Sequence, residues 1–120
     1  MKLERLAVLV ALAPSAAWAA DFSGTWHITN VFNGTPGIIT CTIAQAGDRL
    51  SGQCKPELAG IEATELAGAV DGNSAKWGYD VVFNGNRARV DYTADLKNDG
   101  TLAGSVLRNG SASPMTAVKQ

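Results

Sequence analysis

From residue 21 onward, apolar and polar side chains alternate in short runs, and each run ends at a break containing glycine, asparagine or proline. Alternation of period two marks strands with one face buried. In residues 25–32, Trp26, Ile28 and Phe32 fall on one face, and Thr25, His27 and Thr29 on the other. The breaks at Asn33-Gly34 and Pro36-Gly37 are turn signals. Residues 37–54 then read as a hairpin with Gly47-Asp48 as its two loop residues, because glycine tolerates the positive φ of such loops. This register sets Cys41 opposite Cys54, Ile43 opposite Gly52 and Gln45 opposite Leu50, all on one mostly apolar face. A slip of one residue would turn Leu50 and Cys54 to the wrong side. Counted outward from the turn, Cys41 and Cys54 form a non-hydrogen-bonded pair, close enough for a disulfide.

The pattern continues to the end of the chain. Residues 61–70 form the next expected strand, but Ile61 and Ala63 do not share a face with Leu66 and Val70, which predicts a bulge near Thr64-Glu65. Residues 74–83 and the segment after Asn84-Gly85 form a second hairpin with the strongest turn signal in the chain. There Trp77 faces Tyr92, Tyr79 faces Val90 and Val81 faces Ala88, with Asp80 and Arg89 as an ion pair on the opposite face. Strands at 101–108 and around 115–119 follow, and Pro114 is expected at a strand start or an edge because it lacks an N–H. The predicted fold is all-β: an eight-stranded antiparallel up-and-down barrel, with a two-sheet sandwich as the alternative.

A motif of Leu, Gly and Cys or Val at alternate positions recurs at 50–54, 66–70 and 102–106. Its unequal spacing excludes a solenoid. Glycine on an inner face lets a strand coil, or leaves room for a bulky neighbour or a ligand.

The first 19 residues change the picture of where the chain works. Lys2 and Arg5, the apolar run 6–13 and Ala17-Trp18-Ala19 read as a secretory signal peptide cleaved after Ala19 or Ala20. The apolar run is too short to span a bilayer. No cysteine follows the cleavage site, so the expectation is a periplasmic or secreted protein without a lipid anchor, with residues 20–120 as one domain. A mature chain of about 100 residues is an ordinary domain size. Without Lys2, Arg5 and Glu4, eight basic and ten acidic side chains remain. That balance argues against a nucleic-acid or membrane-surface footprint. Two facing cysteines in an exported chain are expected to be disulfide-bonded.

Phe22-Ser23-Gly24-Thr25-Trp26 resembles the Gly-x-Trp first-strand signature of the calycin superfamily, which includes lipocalins, fatty-acid-binding proteins and avidins. The resemblance implies a barrel in which Trp26 closes one end and a basic residue of the last strand packs across it. Lys119 occupies that place, where arginine is more usual. The resemblance spans the whole mature chain and extends to small secreted bacterial barrels, with one disulfide, that inhibit peptidases.

Candidate chemistry is sparse. His27 is the only histidine, and a lone histidine makes no metal site without further ligands. No serine lies in a nucleophile elbow. Glu62 and Glu65 fall on opposite faces of a regular strand, and Asp71-Gly72-Asn73 and Asn98-Asp99-Gly100 read as turns. The chain is therefore expected not to be an enzyme and to hold no cofactor or metal. Trp77, Tyr79 and Tyr92 cluster on the inner face, either as barrel core or as the wall of a pocket for a small apolar or amphipathic ligand. The alternatives to a ligand carrier are an interaction protein such as a peptidase inhibitor, whose loops at 33–37 and 55–60 would meet a protein partner, and a structural envelope protein.

Overall fold

The computed structural model describes residues 20–32 and 34–120; the expected signal peptide, and Asn33 of the first turn, lie outside the described residues. The alternating runs form β1 (Gly24–Phe32), β2 (Thr35–Ala46), β3 (Arg49–Pro56), β4 (Thr64–Asp71), β5 (Ser74–Phe83), β6 (Asn86–Leu96), β7 (Leu102–Arg108) and β8 (Ser111–Lys119). Each strand pairs with the next, and β8 returns to β1, so the meander closes into an antiparallel barrel rather than a sandwich.

The turns impose the registers. In the β2–β3 hairpin Cys41 faces Cys54, Ile43 faces Gly52 and Gln45 faces Leu50. The two cysteines are bonded across a Cα–Cα distance of 4.0 Å. In the β5–β6 hairpin Trp77 faces Tyr92, Tyr79 faces Val90 and Val81 faces Ala88. Asp80 and Arg89 pair at 3.7 Å, but the Arg89 guanidinium is nearer Asp91, at 3.0 Å, on the same outward face. These partners are roughly half exposed, so they support the register more than they stabilise the fold.

Two segments differ from the sequence reading. The first is β4, which begins at Thr64, and its ladder to β3 runs from Arg49–Ala69 to Cys54–Thr64 with no inserted residue. There is thus no bulge at Thr64-Glu65. The slip in alternation records the end of the strand, and Ile61 is buried instead from the loop between β3 and β4. The second is β8, which is longer than expected and holds Pro114 in its interior. Alternation outward from the Asn109-Gly110 turn makes Ser105–Pro114 a non-hydrogen-bonded pair, so the proline nitrogen faces away from β7. On that side the β1–β8 ladder has already ended, at Asn30–Met115. The proline therefore lies on a local edge, where no donor is required.

The three inner-face glycines of the recurring motif serve backbone approach. A Cβ at Gly52, Gly68 or Gly104 would collide with the carbonyl of Thr42, Lys76 or Thr93 on the adjacent strand. These positions let strands coil tightly rather than opening volume.

The β2–β3, β4–β5 and β6–β7 connections, the start of β1 and the end of β8 gather at one end of the barrel, and the β1–β2, β3–β4, β5–β6 and β7–β8 connections at the other. The first end is closed. Phe22 and Trp26 are buried there, and the Trp26 indole N–H donates to the Phe22 carbonyl at 2.8 Å. Gln45 holds the N-terminal segment: its side-chain oxygen accepts from Phe22 N–H at 2.7 Å, and its amide donates to Ala20 O at 2.9 Å. The Lys119 ammonium sits 5.3 Å from the Trp26 ring centroid.

Candidate functional site at the open end

The other end is open. The β1–β8 ladder stops at Asn30–Met115, and the β4–β5 ladder at Ala67–Gly78, on opposite sides of the barrel. Past these points the strands splay, and the Thr64 hydroxyl bridges one gap by donating to Asp80 O at 2.9 Å. Between them lies a pocket of about 250 Å³. An enclosed cavity of roughly 150 Å³ is enough for a benzene molecule.

The pocket is layered. Its wall is apolar, built from Ile39, Val81 and Val90 of the inner face and from Ile61, which reaches in from the β3–β4 loop. The exposed rim carries Thr35, Glu57, Leu58 and Arg108. Its inner end is polar but uncharged. Tyr79 and Tyr92 meet there with their hydroxyl oxygens 2.7 Å apart, and Asn30 lines the pocket while being 2 % exposed.

The tyrosine pair answers its own burial cost, since each buried hydroxyl finds a partner. Burial pushes the Tyr79 phenol up to about 12, opposed by the Tyr92 hydrogen bond and by the positive charge of Arg108. Burial also raises Tyr92, with the neighbouring Tyr79 adding to the shift and Arg108 again opposing it. Both phenols are therefore neutral near pH 7 and present hydrogen-bonding groups rather than charge. Asn30 differs: neither its amide nitrogen nor its oxygen has a hydrogen-bond partner among the described residues. A buried polar group without a partner costs about 1–3 kcal/mol, so such groups call for an explanation.

Trp77, Tyr79 and Tyr92 are together, as the β5–β6 register implies. Trp77 stacks on Tyr92 with centroids 5.1 Å apart and planes 19° apart, and Tyr79 lies 5.8 Å from Tyr92. Only the two tyrosines line the pocket; Trp77 lies one layer deeper. Trp26 and Lys119 stand at the closed end, and Cys41–Cys54 on the adjoining wall.

Asn30 and Arg108 escaped the sequence reading, although a signal was present. Asn30 follows Trp26 and Ile28 at alternate positions, and Arg108 follows Leu102, Gly104 and Val106 in the same way. Each is a polar residue in an inward series. Ile61 was hidden because its loop mimics the start of a strand.

Fold and site define a small antiparallel barrel with one end sealed and an amphipathic pocket at the other. No family model, no curated protein and no solved structure matches the chain.

Proposed function

We propose that this is an exported, calycin-like carrier that binds a small apolar or amphipathic molecule in the open end of its barrel. The pocket of about 250 Å³ carries this reading. Its buried apolar wall and few convergent polar groups are the composition of small-molecule sites. Export rests on the signal-like residues 1–19, and the disulfide accords with an oxidising compartment. The reading assigns no catalysis.

Native mass spectrometry of the protein purified from the periplasm or medium tests it. The expected spectrum holds a species heavier than the disulfide-bonded chain by the mass of one small molecule. A bare chain that also fails to bind benzene or toluene would overturn the reading. A second reading, a rim that engages a protein partner, is favoured by the exposed Val31, Ile38, Leu58, Val82 and Leu107, which all lie at the open end.

A further inference from the structure

The inner end of the pocket points to the chemistry of the ligand. Asn30 is on β1, at the last pair of the β1–β8 ladder, opposite Gly37 of β2. A Cβ at position 37 would stand 2.9 Å from the Asn30 side-chain oxygen, so glycine there leaves the carboxamide its space. The carboxamide offers two N–H donors and an acceptor, and both its polar atoms are unpartnered and buried. Across the barrel, the Tyr79–Tyr92 pair uses one hydroxyl proton internally and keeps the other. Among the described residues the charged groups that line the pocket, Glu57 and Arg108, stand at its exposed rim, and the Arg108 charge is felt by both neutral phenols.

A group that satisfies Asn30 must itself carry an adjoining donor and acceptor. A carboxylate does not: it has no donor for the Asn30 oxygen, and it would surrender its hydration among neutral groups. A hydrocarbon leaves Asn30 as it is.

We propose that the pocket takes a small neutral molecule with a carboxamide-type group, whose N–H and C=O pair reciprocally with the side chain of Asn30 while its apolar body lies against Ile39, Val81 and Val90. This inference rests on the carrier reading above and specifies its ligand class. Asn30 sets specificity, and the wall supplies contact area.

Three matched probes separate the possibilities: phenylacetamide, phenylacetate and ethylbenzene, titrated into the disulfide-bonded mature protein and followed by calorimetry and by the side-chain amide signals of the ¹⁵N-labelled protein. Phenylacetamide is expected to bind most tightly and to shift the Asn30 side-chain resonances. Asn30→Leu should weaken phenylacetamide about tenfold or more, the scale of a buried hydrogen-bonding loss, while ethylbenzene binds as well or better. The wild-type spectrum keeps the test decisive if that variant folds poorly. Tighter binding of phenylacetate would overturn the proposal and move recognition to Arg108. Equal binding of all three, with unmoved Asn30 signals, would overturn it while leaving the carrier reading intact. Failure of every probe, ethylbenzene included, would remove the carrier reading and this inference together.

Discussion

The two ends of the barrel are built from the same strands and solve opposite problems. At the closed end the β1–β8 ladder runs on to Trp26–Lys119 and the β4–β5 ladder to Asp71–Ser74. There the indole N–H, the Phe22 amide and the Gln45 side chain all have partners. At the open end the same two ladders stop short, and a buried carboxamide is left without a partner. Continuous ladders, and polar groups that are satisfied save for the buried His27 Nε2, describe a region shaped for stability. Interrupted ladders around an apolar pocket with an unanswered polar group describe one where stability has been given up locally, as binding sites often require.

The contrast is sharpest in stability measurements. Trp26→Ala should have the largest effect, lowering the free energy of unfolding by about 3–5 kcal/mol, the usual cost of deleting a buried large aromatic. Urea denaturation with an unchanged m-value checks this; a loss below about 1 kcal/mol would mean that the closed end is not a keystone. Removing the Cys41–Cys54 link should cost about 3 kcal/mol in the chain-entropy picture, given a separation of 13 residues. Thiol titration of the denatured, unreduced protein should find no free cysteine. Gly24→Ala comes next. Its φ of 127° is unfavourable for a side chain, and a Cβ would stand 2.7 Å from Lys119 Cε. The lysine end can move, so the backbone term dominates, on the order of 1–3 kcal/mol.

At the open end the effects should shrink. Val90→Ala enlarges a space that already exists rather than opening one in a sealed core. Its cost should fall near about 1 kcal/mol, at the low end for a buried methyl deletion. A loss comparable to that of Trp26→Ala would erase the distinction between the ends.

Much of this division was legible in the residues, and the reasons are local. Gly47-Asp48 and Asn84-Gly85 admit few strand geometries, so each fixed a register and hence which side chains face inward. That placed Cys41 against Cys54 and Trp77 against Tyr92. The mouth was harder to read. Where a strand stops pairing depends on neighbours distant in sequence, so the early ends of the β1–β8 and β4–β5 ladders left no local mark. Ile61 looked like strand because burial from a loop yields the same apolar signal. Asn30 left no mark because a polar residue carries no burial signal of its own, although it continues the inward series of Trp26 and Ile28.

Alkaline titration probes the mouth without a substitution. The chain has only two tyrosines, so its entire tyrosinate absorbance belongs to the Tyr79–Tyr92 pair. Tyr79 is raised to about 12 from an ordinary 10.0, and Tyr92 is also raised. The unfolded chain then releases these protons first, so the stabilisation is whole below pH 10 and is lost as pH rises through about 12. The expected result is no tyrosinate signal near pH 10 and a steep rise near 12, together with unfolding. Ordinary titration near 10 would mean that the hydroxyls meet water.

The most direct test of a sealed end opposite a proposed binding end is a residue-resolved ¹H–¹⁵N spectrum of the disulfide-bonded protein titrated with toluene. Shifts should gather at Asn30, Gly37, Ile39, Val81 and Val90, with Gly24, Trp26 and Lys119 unmoved. Shifts centred on Trp26, or none at toluene saturation, would contradict the assignment of the open end as the binding site.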